Sequence, residues 1–257
     1  MKIIFIRHAE PDYAIDSLTE KGRREARLLA ERTAKWKVTD FYCSPLGRAR
    51  ATAEPTLKEL GREAKVCEWL QEFTIPSYET GENILLWDLT PEYLEENQML
   101  FQPGEWLEAP MMQKGPVKDY YKKVTAGLDA LLLKYGYERN GIYYRSPKER
   151  LASNHYMIYD GHTLEHMKNC KADDTTIVCF CHLGVMLTLI SYLINSTPSA
   201  LWQGIFVPPS SVTVVASEER EPGKAYFRCQ MIGDTSHLRE AGEPVSYYGY
   251  FAPPFQG

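Results

Sequence analysis

The sequence predicts an α/β fold: a three-layer α/β/α sandwich with a mostly parallel sheet and an inserted cap region. Three observations carry this. The apolar run Ile3-Ile4-Phe5-Ile6 reads as a short strand buried on both faces. The run Thr175 to Cys181 reads the same way, and like the first it ends in a histidine. Around both runs, short strands alternate with segments of helical periodicity, as βα units do.

The 257 residues suffice for one large domain with a sizeable insertion. The chain is read as a single domain, 1–257, with an insertion at about 75–166. Hydrophobic residues make up 44% and charged residues 25%, the balance of a globular protein. A net charge of -5 argues against a nucleic-acid partner but leaves room for a local basic pocket. No apolar run reaches the roughly 18 residues that would span a bilayer, so no membrane partner is expected. The opening run is read as a core strand, not a signal peptide. Cys43, Cys179 and Cys181 lie in apolar runs and read as reduced core residues, so a cytoplasmic setting is expected.

The first strand ends in Arg7-His8, a cation and an imidazole at the edge where open α/β sheets bind ligands. Thr19 then caps a helix whose small face is Gly22, Ala26, Leu29, Ala30 and Thr33. Arg23, Arg24, Arg27 and Arg32 mostly lie off that face. Val38 to Cys43 is a second strand, and Ser44-Pro45-Leu46 turns into a helix with Pro45 in its first turn. That helix start is a natural anion site. Arg48 and Arg50 are two residues apart and point in different directions, so one of them faces the pocket. Ala64 to Trp69 is a third strand, leaving Glu72 near its end. The insertion carries helices near Pro91–Phe101 and Val117–Tyr135. After the second histidine-ended strand, Val185 to Ile194 is an apolar helix. Val212 to Ala216 and Ala225 to Met231 are the final strands.

The strand ends therefore present Arg7 with His8, Arg48 or Arg50, Glu72, and His182. In a parallel sheet these ends share one edge. Two imidazoles, two guanidiniums and a carboxylate suit phosphoryl transfer. They supply a nucleophile, donors for the equatorial oxygens and an acid for the leaving oxygen. No metal and no cofactor is needed for that chemistry.

Several segments resemble one family. Arg7-His8-Ala9, Ser44-Pro45-Leu46-Gly47-Arg48-Ala49-Arg50-Ala51-Thr52-Ala53 and Cys181-His182-Leu183-Gly184 are similar to signature segments of the histidine phosphatase superfamily, the phosphoglycerate-mutase-like fold. Leu18-Thr19-Glu20-Lys21-Gly22 and Thr235-Ser236-His237-Leu238 add to the likeness, which runs in family order from residue 3 to 238. The resemblance implies His8 as nucleophile and carrier of a phosphohistidine. It implies Arg7, Arg48 and His182 as the phosphate-binding set, with Arg48 preferred over Arg50. Glu72 matches the family's proton donor, with Glu68 and Glu10 as possible substitutes. A small phosphorylated substrate is the implied partner.

The motifs of the mutases are missing. Ala9-Glu10-Pro11-Asp12-Tyr13 stands after the first motif, and Glu72-Phe73-Thr74-Ile75-Pro76 stands where mutases carry Glu-Arg-x-Tyr-Gly. The expectation is a metal-independent phosphatase of the histidine acid phosphatase type. The alternatives are mutase-type phosphoryl transfer and a non-catalytic phospho-ligand binding module. His162, His166 and Cys170 have metal-like helical spacing, but a solvated helix face is the expected reading and no metal site is assigned. His155 and the insertion's aromatic residues either line the pocket or form a small core of their own. His237 is expected to be a structural partner near the sheet edge.

Overall fold

The computed structural model describes residues 1–72, 76–77, 84–147, 174–221 and 223–256. His155, His162, His166 and Cys170 lie outside the described residues.

In chain order the main elements are β1 (Lys2–Arg7), α1 (Glu20–Thr33), β2 (Asp40–Cys43), α2 (Gly47–Leu60) and β3 (Ala64–Val66). Then come α3 (Val117–Leu133), β4 (Glu138–Asn140), β5 (Tyr143–Arg145) and β6 (Thr176–Cys181). The last are α4 (Leu183–Leu193), α5 (Pro198–Gly204), β7 (Val212–Glu221), β8 (Lys224–Asp234) and α6 (Ser236–Glu240). The eight strands form one sheet in the order β3-β2-β6-β1-β7-β8-β5-β4. β3, β2, β6 and β1 run parallel, while β7, β8, β5 and β4 extend the sheet antiparallel. The sheet is thus mixed, with its parallel half where the histidine-ended strands lie. The consecutive antiparallel pairs β4–β5 and β7–β8 need only tight turns, whereas the parallel strands need helical crossovers.

Alternating residues of the parallel strands feed two cores, one on each face. Ile4, Ile6, Phe41, Cys43, Val178 and Phe180 pack with Leu29 of α1 and with Ala49 and Ala53 of α2. Ile3, Phe5, Tyr42, Ile177, Cys179 and Cys181 pack with Leu128 and Leu132 of α3 and Val185 of α4. Each fully buried Ile or Phe contributes about 1.5–3 kcal/mol, which holds the strand ends in place. The five described cysteines, Cys43, Cys67, Cys179, Cys181 and Cys229, are free thiols.

Local chemistry accounts for most element limits. Thr19 accepts from the Gly22 N–H at 3.0 Å and caps α1. The face Gly22, Ala26, Leu29, Ala30 and Thr33 is buried, together with Glu25. Arg23, Arg24 and Arg27 are exposed, and Arg32 pairs with Asp234 at 2.6 Å. Pro45 stands outside α2, whose first residue is Gly47. There Asp16 Oδ2 accepts from the Gly47 N–H at 2.6 Å, doing the work of a capping side chain. The third strand is shorter than its pattern predicts. Residues 68–70 wind into a 3-10 turn that buries Leu70, so Glu72 follows a turn rather than a strand.

The described part of the insertion builds onto the sandwich. α3 joins the helical layer beside α4, and the β4–β5 hairpin joins the sheet's far edge through β8.

Candidate active site

Register brings the two histidines together. β1 and β6 pair in parallel with Arg7 opposite Cys181, so the next residues, His8 and His182, leave the sheet side by side. The His8 N–H donates to the Cys181 carbonyl at 2.9 Å and continues the ladder by one step. The two ring centroids are 5.1 Å apart, with the ring planes tilted by 56°. Both side chains are buried.

The His8 ring is held in one tautomer. Its Nδ1 lies 2.8 Å from the Ala9 carbonyl, which can only accept, so Nδ1 carries the proton and Nε2 keeps its lone pair. Burial, reinforced by the charges of Arg7 and Arg48, pushes the His8 pKa well below its ordinary value, against the pull of the Ala9 bond. The ring is neutral at pH 7. The Ala9 N–H donates to Thr52 Oγ1 at 2.9 Å, and Thr52 donates to the Arg48 carbonyl at 2.8 Å. That pair ties the loop after β1 to the first turns of α2.

Arg48 is buried and Arg50 is exposed, as their spacing on α2 requires. Arg48 Nη1 lies 2.7 Å from Asp16 Oδ1. Arg7 donates from Nη1 to the Val207 carbonyl at 2.7 Å. Arg7 Nε and Arg48 Nε are buried and make no hydrogen bond among the described residues. Two cations thus flank a neutral imidazole, an arrangement that can stabilise a dianionic group placed against it.

His182 caps α4, and its Nε2 lies 2.8 Å from Ser44 Oγ. Ser44 follows β2 and its N–H donates to the Phe180 carbonyl, so this third strand end meets the other two. His182 Nδ1 is buried and makes no hydrogen bond among the described residues. Burial, with His8 and the two arginines adding to it, holds the His182 pKa well below the usual range.

Glu72 is buried and reaches the same corner from the turn after β3. Its Oε1 accepts from the Val185 N–H at 3.0 Å, at the start of α4, where the helix dipole favours a carboxylate. A Cβ on Gly184 would stand 2.8 Å from Glu72 Oε1 and 2.5 Å from the Trp87 ring, so this position needs glycine. Glu68 lies in the 3-10 turn, where its Oε2 accepts from Gln71. Glu10 takes hydrogen bonds from Thr19 and Ser246. Both substitutes are therefore engaged in holding loops.

Sequence reasoning passed over Asp16, Tyr13 and Ser44 as site residues. Asp16 has φ 46° in a loop of no strong pattern, and only its contact with Arg48 marks it out. The Tyr13 ring lies 5.1 Å from the Arg48 guanidinium and the Phe206 ring 5.3 Å from that of Arg7. His237 is bonded through Nε2 to Ser210 Oγ at 2.9 Å, and the Ser210 N–H donates to the His8 carbonyl. It lines a groove of about 310 Å³ between α1 and α6 that contains neither His8 nor His182. Among the described residues no group of three or more His, Cys, Asp or Glu is placed to hold a metal ion, and no helix is long and apolar enough to cross a membrane.

The chain is similar to several known proteins. A curated relative from Hydrogenobacter thermophilus, provisionally named phosphoserine phosphatase 2, is 31% identical over 141 residues, covering 50% of this chain and 65% of its own length. A crystal structure of a phosphoserine phosphatase from Entamoeba histolytica in complex with 3-phosphoglyceric acid superposes with a TM-score of 0.57. It is 20% identical and covers 92% of this chain and 98% of its own. A mycobacterial glucosyl-3-phosphoglycerate phosphatase gives a TM-score of 0.55 at 18% identity, covering 91% of this chain and 99% of its own. These likenesses show a shared fold. The family model of the histidine phosphatase superfamily, branch 1, matches residues 3–139, which carry β1, α2 and Glu72, and the chain belongs to that superfamily.

Proposed function

We propose that the protein is a metal-independent phosphomonoesterase that works through a phosphohistidine on His8. The observation that carries the proposal is the buried His8 ring, its Nδ1 held 2.8 Å from the Ala9 carbonyl, with two buried arginines beside it. A nucleophile needs an available lone pair, and Nε2 has one.

In the first step Nε2 attacks phosphorus, and the P–Nε2 bond forms as the P–O bond to the leaving group breaks. Arg7 and Arg48 hold the equatorial oxygens. A Ser44 hydroxyl that donates to His182 Nε2 leaves the His182 proton on Nδ1, free for a third oxygen. Glu72, as the acid, gives its proton to the departing alkoxide, which leaves as an alcohol. In the second step the Glu72 carboxylate takes a proton from water, and the water oxygen attacks phosphorus. The P–Nε2 bond then breaks and inorganic phosphate leaves. No step requires a metal ion or a cofactor. The likeness to relatives named as phosphoserine and glucosyl-3-phosphoglycerate phosphatases supports hydrolysis of small phosphomonoesters.

The test is labelling. With a ³²P-labelled aryl phosphate and an alkaline quench, wild-type protein should carry label on His8. His8→Ala should carry none, lose at least about 1,000-fold in turnover and melt normally. EDTA should change neither result. Unlabelled wild-type protein that still hydrolyses the ester, or turnover retained by His8→Ala, would overturn the proposal.

A further inference from the structure

Resting on the phosphatase reading, we propose that the preferred substrate carries an aromatic or bulky apolar leaving group, gripped by a collar of aromatic side chains around the two arginines. Three segments far apart in sequence supply the collar. Tyr13 comes from the loop after β1, Phe206 from the stretch after α5, and Tyr248 and Tyr250 from the C-terminal tail.

The collar is continuous with the phosphate-binding groups. Tyr13 stands over the Arg48 guanidinium and Phe206 over that of Arg7. Tyr248 then packs on Tyr13 with ring centroids 5.5 Å apart, and Tyr250 packs on Phe206 at 3.7 Å. Between those two tyrosines Gly249, at φ +84°, brings the tail backbone close to Arg7. A Cβ there would lie 3.5 Å from Arg7 Nη2. The tail is fastened on the way by Lys21 to Glu243 at 2.9 Å and by Ser246 Oγ to Glu10 Oε2 at 2.7 Å. Tyr13 remains 53% exposed and Tyr248 43% exposed, so apolar ring surface is left open at the mouth. Rings of this kind favour an apolar or aromatic ligand face.

Ethyl phosphate and 2-phenylethyl phosphate test this, because both release a primary alcohol of similar acidity and differ in the ring. Wild-type kcat/KM should favour 2-phenylethyl phosphate at least tenfold, and should favour it over O-phosphoserine and 3-phosphoglycerate as well. Tyr248→Ala should cut that ratio to threefold or less through loss of 2-phenylethyl phosphate kcat/KM, and Tyr248→Phe should keep the ratio. Equal rates on the two esters, a preference for O-phosphoserine, or an unchanged ratio in Tyr248→Ala would overturn the inference and leave the phosphatase reading intact. Absence of phosphate release from every ester would overturn both.

Discussion

Arg48 Nη1 lies 2.7 Å from Asp16 Oδ1, while the other oxygen of the same carboxylate caps α2 through the Gly47 N–H. One side chain thus fixes both a helix start and a guanidinium. Burial tends to raise the Asp16 pKa, but the bonds from Gly47 and Arg48 outweigh it and hold it below the usual carboxylate range. Because the Asp16 side chain is 44% exposed, the ion pair adds little to stability. Asp16→Ala should therefore leave the melting temperature within a few degrees of wild type. It should lower kcat/KM about tenfold by loosening Arg48, as steady-state kinetics beside a thermal melt would reveal.

Gly184 leaves the space in which the Glu72 carboxylate sits. A methyl group there must displace either Glu72 or Trp87. If Glu72 protonates the leaving oxygen, Glu72→Gln should slow alkyl phosphates at least about 100-fold and p-nitrophenyl phosphate far less, since nitrophenolate leaves without a proton. Gly184→Ala should show the same selectivity in weaker form. A uniform loss across leaving groups, measured as a plot of log kcat/KM against leaving-group pKa, would remove Glu72 from that role.

Glu25 is wholly buried on α1, and burial, only partly offset by the Glu10 N–H and Lys21, raises its pKa to about 7. Above pH 4.5 the unfolded chain releases this proton before the folded chain does. Stability should thus fall as pH rises from about 5 to about 8, by up to about 2 kcal/mol from this group alone. Glu25→Gln should abolish that fall, so its advantage over wild type in urea melts should be larger at pH 8 than at pH 5.

The buried histidines act in the opposite direction. Burial, then Arg32, lowers the His237 pKa to about 4, and His8 and His182 are lowered too. Below pH 6.5 the unfolded state binds protons that the folded state refuses, so stability should drop steeply as pH falls from 6.5 toward 4. His237→Asn should recover about 2 kcal/mol of the loss between pH 7 and pH 5, read from denaturant midpoints at each pH.

Much of the scaffold was legible in the chain. Two buried runs ending in histidine, a Thr19 cap and the small face of α1 are local signals: period, capping chemistry and strand length. The spacing of Arg48 and Arg50 separated the buried one from the exposed one, because a helix turns about 100° per residue. The antiparallel pairing of β7 on β1 and the joining of the insertion to β8 were not legible, since Lys2 pairs with Ala216 and Arg145 with Lys224, partners far apart in the chain.

By itself, then, the sequence determined the family and the α/β fold, and it singled out Arg7, His8, Arg48, Glu72 and His182 as the candidate site. Tertiary structure alone decided the His8 tautomer, the Asp16 brace, the fit of Gly184 under Glu72 and the aromatic collar. Periodicity records how each segment folds on itself. Hydrogen-bond direction, depressed basicity and ring-on-cation contact arise only when segments from different parts of the chain are packed together and water is driven out between them.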